Sequence, residues 1–342
     1  MTNLDGLEPQ FTFERQVMRP TFRAYLRHLL LLLATFVTAT IAGTLYPFGP
    51  FQTLPNDDPQ SFSEVIQLIL SLPLRYGALI VQAVTDLFTK AENLTYGLEF
   101  SVSLLFILIC HEMGHYITCR IYRVDATLPF FIPTPPMLGP AGTFGAFIKL
   151  LSPIPSRRAV FDIGLAGPIA GFIALLPIAL IGLGTMHLAT PEMVAASHGG
   201  LTFTDPLLLK LLAYFLGIDL NFGIGNAFYY AAWVGLLVTA LNLIPSGQLD
   251  GGHAIYAVLG ERIHYWTGRI AFVVMAVLSV LGMYFYGSPS GFLIAIILGI
   301  MMRVRHPEPI DQTPLDMKRK IIAFMTLVIF ILCFVPFPIQ IS

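Results

Sequence analysis

The chain has 342 residues, of which 56% are hydrophobic and 11% charged, with a net charge of -1. Soluble domains carry about 25% charged residues, so this composition excludes an ordinary soluble protein and points to membrane-crossing segments. The near-zero charge excludes the basic face of a nucleic-acid binder, and an odd set of cysteines (Cys110, Cys119 and Cys333), two of them in apolar runs, excludes a disulfide framework.

Met1 to Arg27 is polar with scattered arginines, and the apolar run after it is too long for the apolar part of a signal peptide, so no cleavable signal is expected. A membrane span needs about 20 mostly apolar residues. In chain order the stretches that satisfy this are Leu29–Tyr46, Phe100–Cys119, Val160–Leu183, Ala227–Ile244, Ile270–Tyr286 and Ile321–Pro338, with the shorter Gly291–Met302 as a further span. Pro206–Leu216 reads as an amphipathic helix lying on the membrane surface. The expected fold is an all-α polytopic membrane protein of about six to eight transmembrane helices. A short re-entrant loop or β-strand region is expected near the active site.

Charge orients the spans. Arg15, Arg19, Arg23 and Arg27 precede the first span and place the N-terminus in the cytoplasm by the positive-inside rule. Asp57 and Asp58 then fall outside. Arg120, Arg123, Lys149, Arg157, Arg158, Arg262, Arg269, Arg303, Arg305, Lys318, Arg319 and Lys320 all fall inside. This alternation holds if Val65–Phe88, which contains Pro73 and Arg75, does not cross the membrane. Three regions result. Residues 1–95 form an N-terminal segment with the first span and its outer loop, 96–260 a catalytic membrane core, and 261–342 the C-terminal spans. A bacterial cytoplasmic membrane, with the N-terminus and active site toward the cytoplasm, is the expected location.

The chemistry centres on His111-Glu112-Met113-Gly114-His115, embedded in an apolar helical run. Residues four apart share a helix face, so His111 and His115 present two imidazoles to one metal ion. Glu112 lies beside that face as the general base for a water activated by the metal. Ionisable groups inside a span are costly and default to function. A third ligand is required, and carboxylates in the apolar part of the chain are few. Asp250, in Asn242-Leu-Ile-Pro-Ser-Gly-Gln-Leu-Asp-Gly-Gly-His253, follows the Ala227 span at the same expected depth as the histidines. Pro245 and the glycines break the helix there, which suits a ligand on a broken helix end. Two imidazoles and a carboxylate favour one zinc ion per chain.

Two further segments bear on the site. Pro129–Pro140 holds five prolines and cannot be a continuous helix; it is expected to form a re-entrant loop or lid on the metal's side. Gly142-Thr-Phe-Gly-Ala-Phe-Ile-Lys-Leu reads as a short strand whose edge holds an extended substrate by backbone hydrogen bonds, with Gly142, Phe144 and Gly145 as substrate-binding positions. Gly164, Gly167 and Gly171 read as close helix packing. His253 and His264 sit near the metal in supporting or loop positions, and His187 and His198 lie on the outer side with no catalytic role.

With these motifs in place, the sequence resembles the site-two protease family of intramembrane zinc metalloproteases, in its compact form without a PDZ domain. The likeness covers roughly residues 98–260. It rests on HEMGH at 111–115 and NLIPSGQLDGG at 242–252, supported by GLAGPIAG at 164–171 with Asp162 before it, and by GTFGAFIKL at 142–150. The resemblance implies that His111, His115 and Asp250 bind zinc, that Glu112 is the catalytic base, and that Asn242 helps hold the substrate or the oxyanion. It also implies membrane-protein substrates cut in or near their transmembrane segments. A prenyl-protein endopeptidase would instead need a glutamate ligand in a later span, and Glu261 and Glu308 lie in loops. The non-enzymatic alternative is a scaffold or transporter that uses the same metal site.

Overall fold

The computed structural model describes residues 20–49, 61–137, 140–190, 201–304 and 306–341. Helix α1 (Phe22–Thr44) is capped by Thr21 and packs along α3 (Ala91–Ile121). Small and hydroxylated residues let the two approach: a Cβ on Gly43 would lie 2.5 Å from the Phe100 ring, and Thr40 donates to Ser101 at 2.8 Å. This is the packing expected where lipid supplies no hydrophobic drive. α3 meets α4 (Arg157–Gly184) and α6 (Ala227–Leu243) to form the centre of the bundle, around Phe100, Leu104, Leu175, Trp233 and Leu236. Apolar on all sides, α6 is buried on all sides.

Among the described residues five helices are long and apolar enough to cross a membrane: α1, α2 (Phe62–Thr89), α3, α4 and α8 (Glu261–Tyr286). With α6 and α10 (Met317–Cys333), 17 residues each, the set falls within the expected number of spans. One expectation changes. Gly291–Met302 forms α9 (Ser290–Met301), only 12 residues, about 18 Å of helix and too short to cross alone; it packs back against α8. Val65–Phe88, doubted as a span because the charges alternate without it, forms one 28-residue helix that continues through Pro73 and meets the length and hydropathy of a span. Only Leu79, Ala83 and Leu87 of it are buried, the first two against Leu45 of α1's C-terminal end. The Pro206 stretch forms α5 (Leu207–Leu216), which buries Leu208, Leu209 and Ala213 and exposes Tyr214 and Phe215.

The proline-rich stretch is a hairpin. β1 (Phe130–Pro133) pairs antiparallel with β2 (Thr143–Phe147), with Phe130 opposite Phe147 and Phe131 opposite Ala146. Pairing continues beyond the strands, through Thr127 N–H to Lys149 C=O at 2.9 Å and Leu151 N–H to Asp125 C=O at 2.7 Å. The hairpin lies along α1: the His28 ring bonds the Pro129 carbonyl at 2.9 Å, and Thr38 donates to the Gly142 carbonyl at 2.8 Å. Gly142, at φ +74, allows this contact, because a Cβ there would lie 2.4 Å from the Thr38 carbonyl oxygen.

After α6 the chain turns sharply through Pro245 and Gly247 into α7 (Asp250–Leu259). Gly247 sits at φ +55 against the Met301 carbonyl, and a Cβ on Gly251 would lie 2.0 Å from the Leu243 carbonyl. Two short pairs tie down the far end: β3 (His187–Leu188) with β5 (Gly223–Ile224), and β4 (Leu201–Phe203) with β6 (Ile339–Ile341). α10 is fastened to α4 at the other end, where Arg319 grips Asp162 through Nε at 2.9 Å and Nη2 at 2.5 Å, with the Tyr122 hydroxyl on the same carboxylate.

Both members of that pair are about three-quarters buried, with side-chain exposures of 23% and 24%. An Arg319→Leu change strands the Asp162 charge at a partly screened site, at a cost of about 1–2 kcal/mol. We expect the melting temperature in detergent to fall by several degrees. The Asp162→Asn/Arg319→Leu double variant should recover part of the loss; strictly additive losses would show that the pair is not coupled.

Candidate metal centre

His111 and His115 lie on one face of α3, 10 and 6 residues before its last residue, Ile121, or about 15 and 9 Å along the axis. Asp250 is the first residue of α7, where the turn after α6 delivers it to the same point. The three donor atoms form a nearly equilateral triangle: His111 Nε2 to His115 Nε2 is 3.2 Å, His111 Nε2 to Asp250 Oδ2 3.3 Å, and His115 Nε2 to Asp250 Oδ2 3.4 Å. A tetrahedral zinc with ligand distances of about 2.0–2.1 Å has edges of about 3.3–3.4 Å. Among the described residues this is the one cluster of three such ligands.

The surroundings also fit a metal. The other nitrogen of His115, Nδ1, donates to the Ile163 carbonyl at 2.6 Å, which fixes the tautomer and leaves Nε2 as the ligand. α4 approaches so closely that a Cβ on Gly167 would lie 2.1 Å from His115 Nε2, and one on Gly171 would lie 3.1 Å from His111 Cβ. Gly114 of α3 meets the Ala166 carbonyl of α4 in the same way, at 2.4 Å. Two of the glycines expected to serve helix packing, Gly167 and Gly171, therefore pack on the candidate ligand histidines themselves.

Glu112 is buried beside the triangle, and Ile148, just beyond β2, lines the same cavity. This cavity, of about 730 Å³, joins these groups. β2 and its continuation, Ala146 to Leu150, border it, as do Asn242, His253, Pro307 and Glu308. Asn242 Nδ2 stands 3.3 Å from His111 Nε2. The three substrate-binding positions expected on this segment lie just upstream of the lining. Gly142 packs on α1, the Phe144 ring is 61% exposed, and Gly145 at φ +90 has open space around it.

His253 lines the cavity; His264 is buried with Nε2 on the Gly247 carbonyl at 2.9 Å. His187 sits in β3, and His198 lies outside the described residues. Sequence reasoning missed the Ile163 carbonyl and the C-terminal stretch with His306, Pro307 and Glu308. Only the glycine spacing at 164, 167 and 171 signalled that something was packed tightly there. Burial pushes the His253 imidazole down to about 4 and that of His306 to about 3, so both are neutral at neutral pH.

A profile of peptidase family M50 matches residues 99–285, more than half of the chain and all of the residues that build the triangle. The chain belongs to peptidase family M50. This is the site-two protease family that the paired motifs resemble, and with its spans the M50 chain is an integral membrane protein. Among curated proteins it is similar to the Arabidopsis thaliana protein named "Probable zinc metalloprotease EGY1, chloroplastic". That likeness is 29% identical over 252 residues, 70% of this chain and 43% of the relative. The Oryza sativa protein of the same name is 31% identical over 192 residues, 54% of this chain and 32% of the relative. Arabidopsis "Probable zinc metalloprotease EGY2, chloroplastic" is 30% identical over 202 residues, 57% of this chain and 34% of the relative. The chain spans less than half the length of these relatives.

The clearance at Gly167 gives a test of the site. We expect Gly167→Ala to weaken zinc binding by about 10–100-fold, measured by chelator competition, with the helical spectrum unchanged. Gly171→Ala, whose closest contact is 3.1 Å, should cost less. Wild-type zinc affinity in Gly167→Ala would refute the packing described.

Proposed function

We propose that the chain is an intramembrane zinc metalloendopeptidase that hydrolyses peptide bonds in or near the transmembrane segments of other membrane proteins. One observation carries this reading: two histidines and an aspartate converge at 3.2–3.4 Å with a buried glutamate beside them, inside an apolar bundle. Residues 96–260 serve as its catalytic core, and the cavity takes Pro307 and Glu308 from the C-terminal region.

His111, His115 and Asp250 would hold the metal, which would supply Lewis acidity for the scissile carbonyl and for water. Glu112 takes the proton of the attacking water and returns it to the departing amine. The Asn242 amide, beside His111 in the cavity lining, would bind the substrate carbonyl or the oxyanion that develops from it. A helical substrate must be unwound before its amide is accessible. β2 is paired on one edge with β1, and among the described residues no strand covers its other edge. That edge supports binding of the unwound segment, with Gly142, Phe144 and Gly145 setting the shape of the strand upstream of the cavity.

The arginines and lysines around the site's end of the bundle support an active site on the cytoplasmic side, and with α2 not crossing the bilayer the N-terminus shares that side. The equivalent face in an organelle is the one from which the protein inserts. The relatives carry "chloroplastic" in their names, so a plastid membrane stands beside the bacterial cytoplasmic membrane expected from sequence.

The test is zinc per chain and cleavage of a model single-span substrate, both in detergent. Wild type should hold one zinc and cleave. Glu112→Gln should keep the metal and lose cleavage by about 10²–10⁴-fold, and Asp250→Ala should lose the metal. A wild type without zinc, or cleavage that survives Glu112→Gln, would sink the mechanism and favour a scaffold or transporter. Phe144→Pro should cut cleavage more than Phe144→Ala does; equal effects would remove the strand from substrate binding.

A further inference from the structure

Beyond α9 the chain returns over the catalytic cavity. Pro307 and Glu308 line it. The strap is then pinned to the segment before α4 by Ile310 N–H to the Ile154 carbonyl at 3.3 Å, Asp311 N–H to the Pro155 carbonyl at 3.1 Å, and Arg157 N–H to the Asp311 carbonyl at 2.8 Å. The strap lies outside residues 99–285, the part matched to the family.

His306 begins this strap. Its ring stacks on Tyr256 of α7, with centroids 4.0 Å apart and planes 8° from parallel. His306 Nδ1 is 2.8 Å from the Pro307 carbonyl oxygen, and Nε2 is 2.6 Å from His253 Nδ1. A carbonyl oxygen can only accept, so the proton of the neutral His306 ring sits on Nδ1 and its Nε2 offers a lone pair. His253 Nδ1 must then donate, which leaves the His253 proton there and a lone pair on Nε2. His253 is itself held by packing, since a Cβ on Gly164 would lie 2.7 Å from His253 Cβ. Its ring lines the cavity one helical turn beyond Asp250.

We infer that His253 is a substrate-binding residue and His306 its positioning residue: His306 fixes the tautomer in which His253 Nε2 accepts a hydrogen bond from a backbone N–H of the bound peptide. This rests on the proposed protease function. The physical need comes from the substrate. An extended peptide on β2 directs alternate N–H groups to β2 and away from it. Inside an apolar bundle the groups pointing away also gain from a fixed acceptor. β2 and its continuation, Ala146 to Leu150, form one wall of the cavity, while α7 reaches it through Asp250, beside the histidines. His253 supplies an acceptor on the side that β2 cannot serve.

The test compares His306→Gln, whose side-chain oxygen replaces the Nε2 acceptor, with His306→Phe, which keeps the stack on Tyr256 but has no acceptor. Ring ¹⁵N shifts in histidine-labelled protein should show His253 protonated on Nδ1 in wild type and in His306→Gln. In His306→Phe that preference should be lost. On the single-span substrate, His306→Phe should raise KM about tenfold with kcat and zinc content near wild type, and His306→Gln should restore KM. The inference is overturned if His253 carries its proton on Nε2 in wild type. It is also overturned if Phe and Gln variants match wild type in KM, or if both lose zinc and thermal stability alike, the signature of a purely structural contact. A wild type that holds zinc and cleaves nothing removes the protease reading itself, a result distinct from variants that differ from an active wild type.

Discussion

Two imidazoles and a carboxylate within 3.4 Å of one another, in the interior of an apolar bundle, form an arrangement that only a cation makes favourable. Without a metal, burying Asp250 among apolar helices exacts a desolvation cost that a neutral histidine pair offsets poorly. With one, each donor has a partner. The surrounding fold is arranged around this convergence. α3 carries two ligands because their spacing suits a helix. α6 must end where it does so that the turn at 244–249 can bring Asp250 back. α4 must carry glycine where it crosses α3, because any Cβ at 167 would occupy the place of the His115 ring.

The parts of this that were legible in the sequence are those governed by spacing and by scarcity. His111 and His115 are found by helical period alone. Asp250 is found because carboxylates in the apolar core are few and topology puts it at matching depth. The strand at 143–147 was readable from its glycines and from the prolines before it, which forbid a helix. Hydropathy failed where length and partners decide the outcome. Gly291–Met302 is as apolar as a span, yet α9 stops after 12 residues and leans on α8. Val65–Phe88 is doubtful as a span by charge alternation, and its length and hydropathy suit one, since Pro73 does not interrupt the helix.

Contacts between segments distant in sequence were not legible at all. Nothing in Gly142 announces that its carbonyl will receive the Thr38 hydroxyl, a contact across 104 residues. Nothing in His306 announces the ring of His253. The same holds for the Ile163 carbonyl that orients His115: a backbone atom has no residue type to betray it. The glycine spacing of α4 was visible, but its meaning depended on what lay opposite, and only the packed structure supplies that.

A division of labour follows from where these groups sit. The metal ligands stand on α3 and at the start of α7, braced by α4, all within the stretch matched to the family. The walls of the cavity come from elements of another kind: a hairpin laid along α1 and a strap that follows α9. For the proposed reaction this difference is physical. A metal triangle tolerates little movement, so rigid helices suit it. A transmembrane substrate, once unwound, has exposed backbone N–H and C=O groups in a medium that provides no water for them, at a cost of several kcal/mol each. Helices have no spare backbone groups to offer in return, because their own bonds are satisfied internally. A strand edge does, and so does an imidazole held in one tautomer. An otherwise helical membrane protein that cuts peptides therefore needs non-helical chain at its site, which is where β2 and the returning C-terminal strap lie.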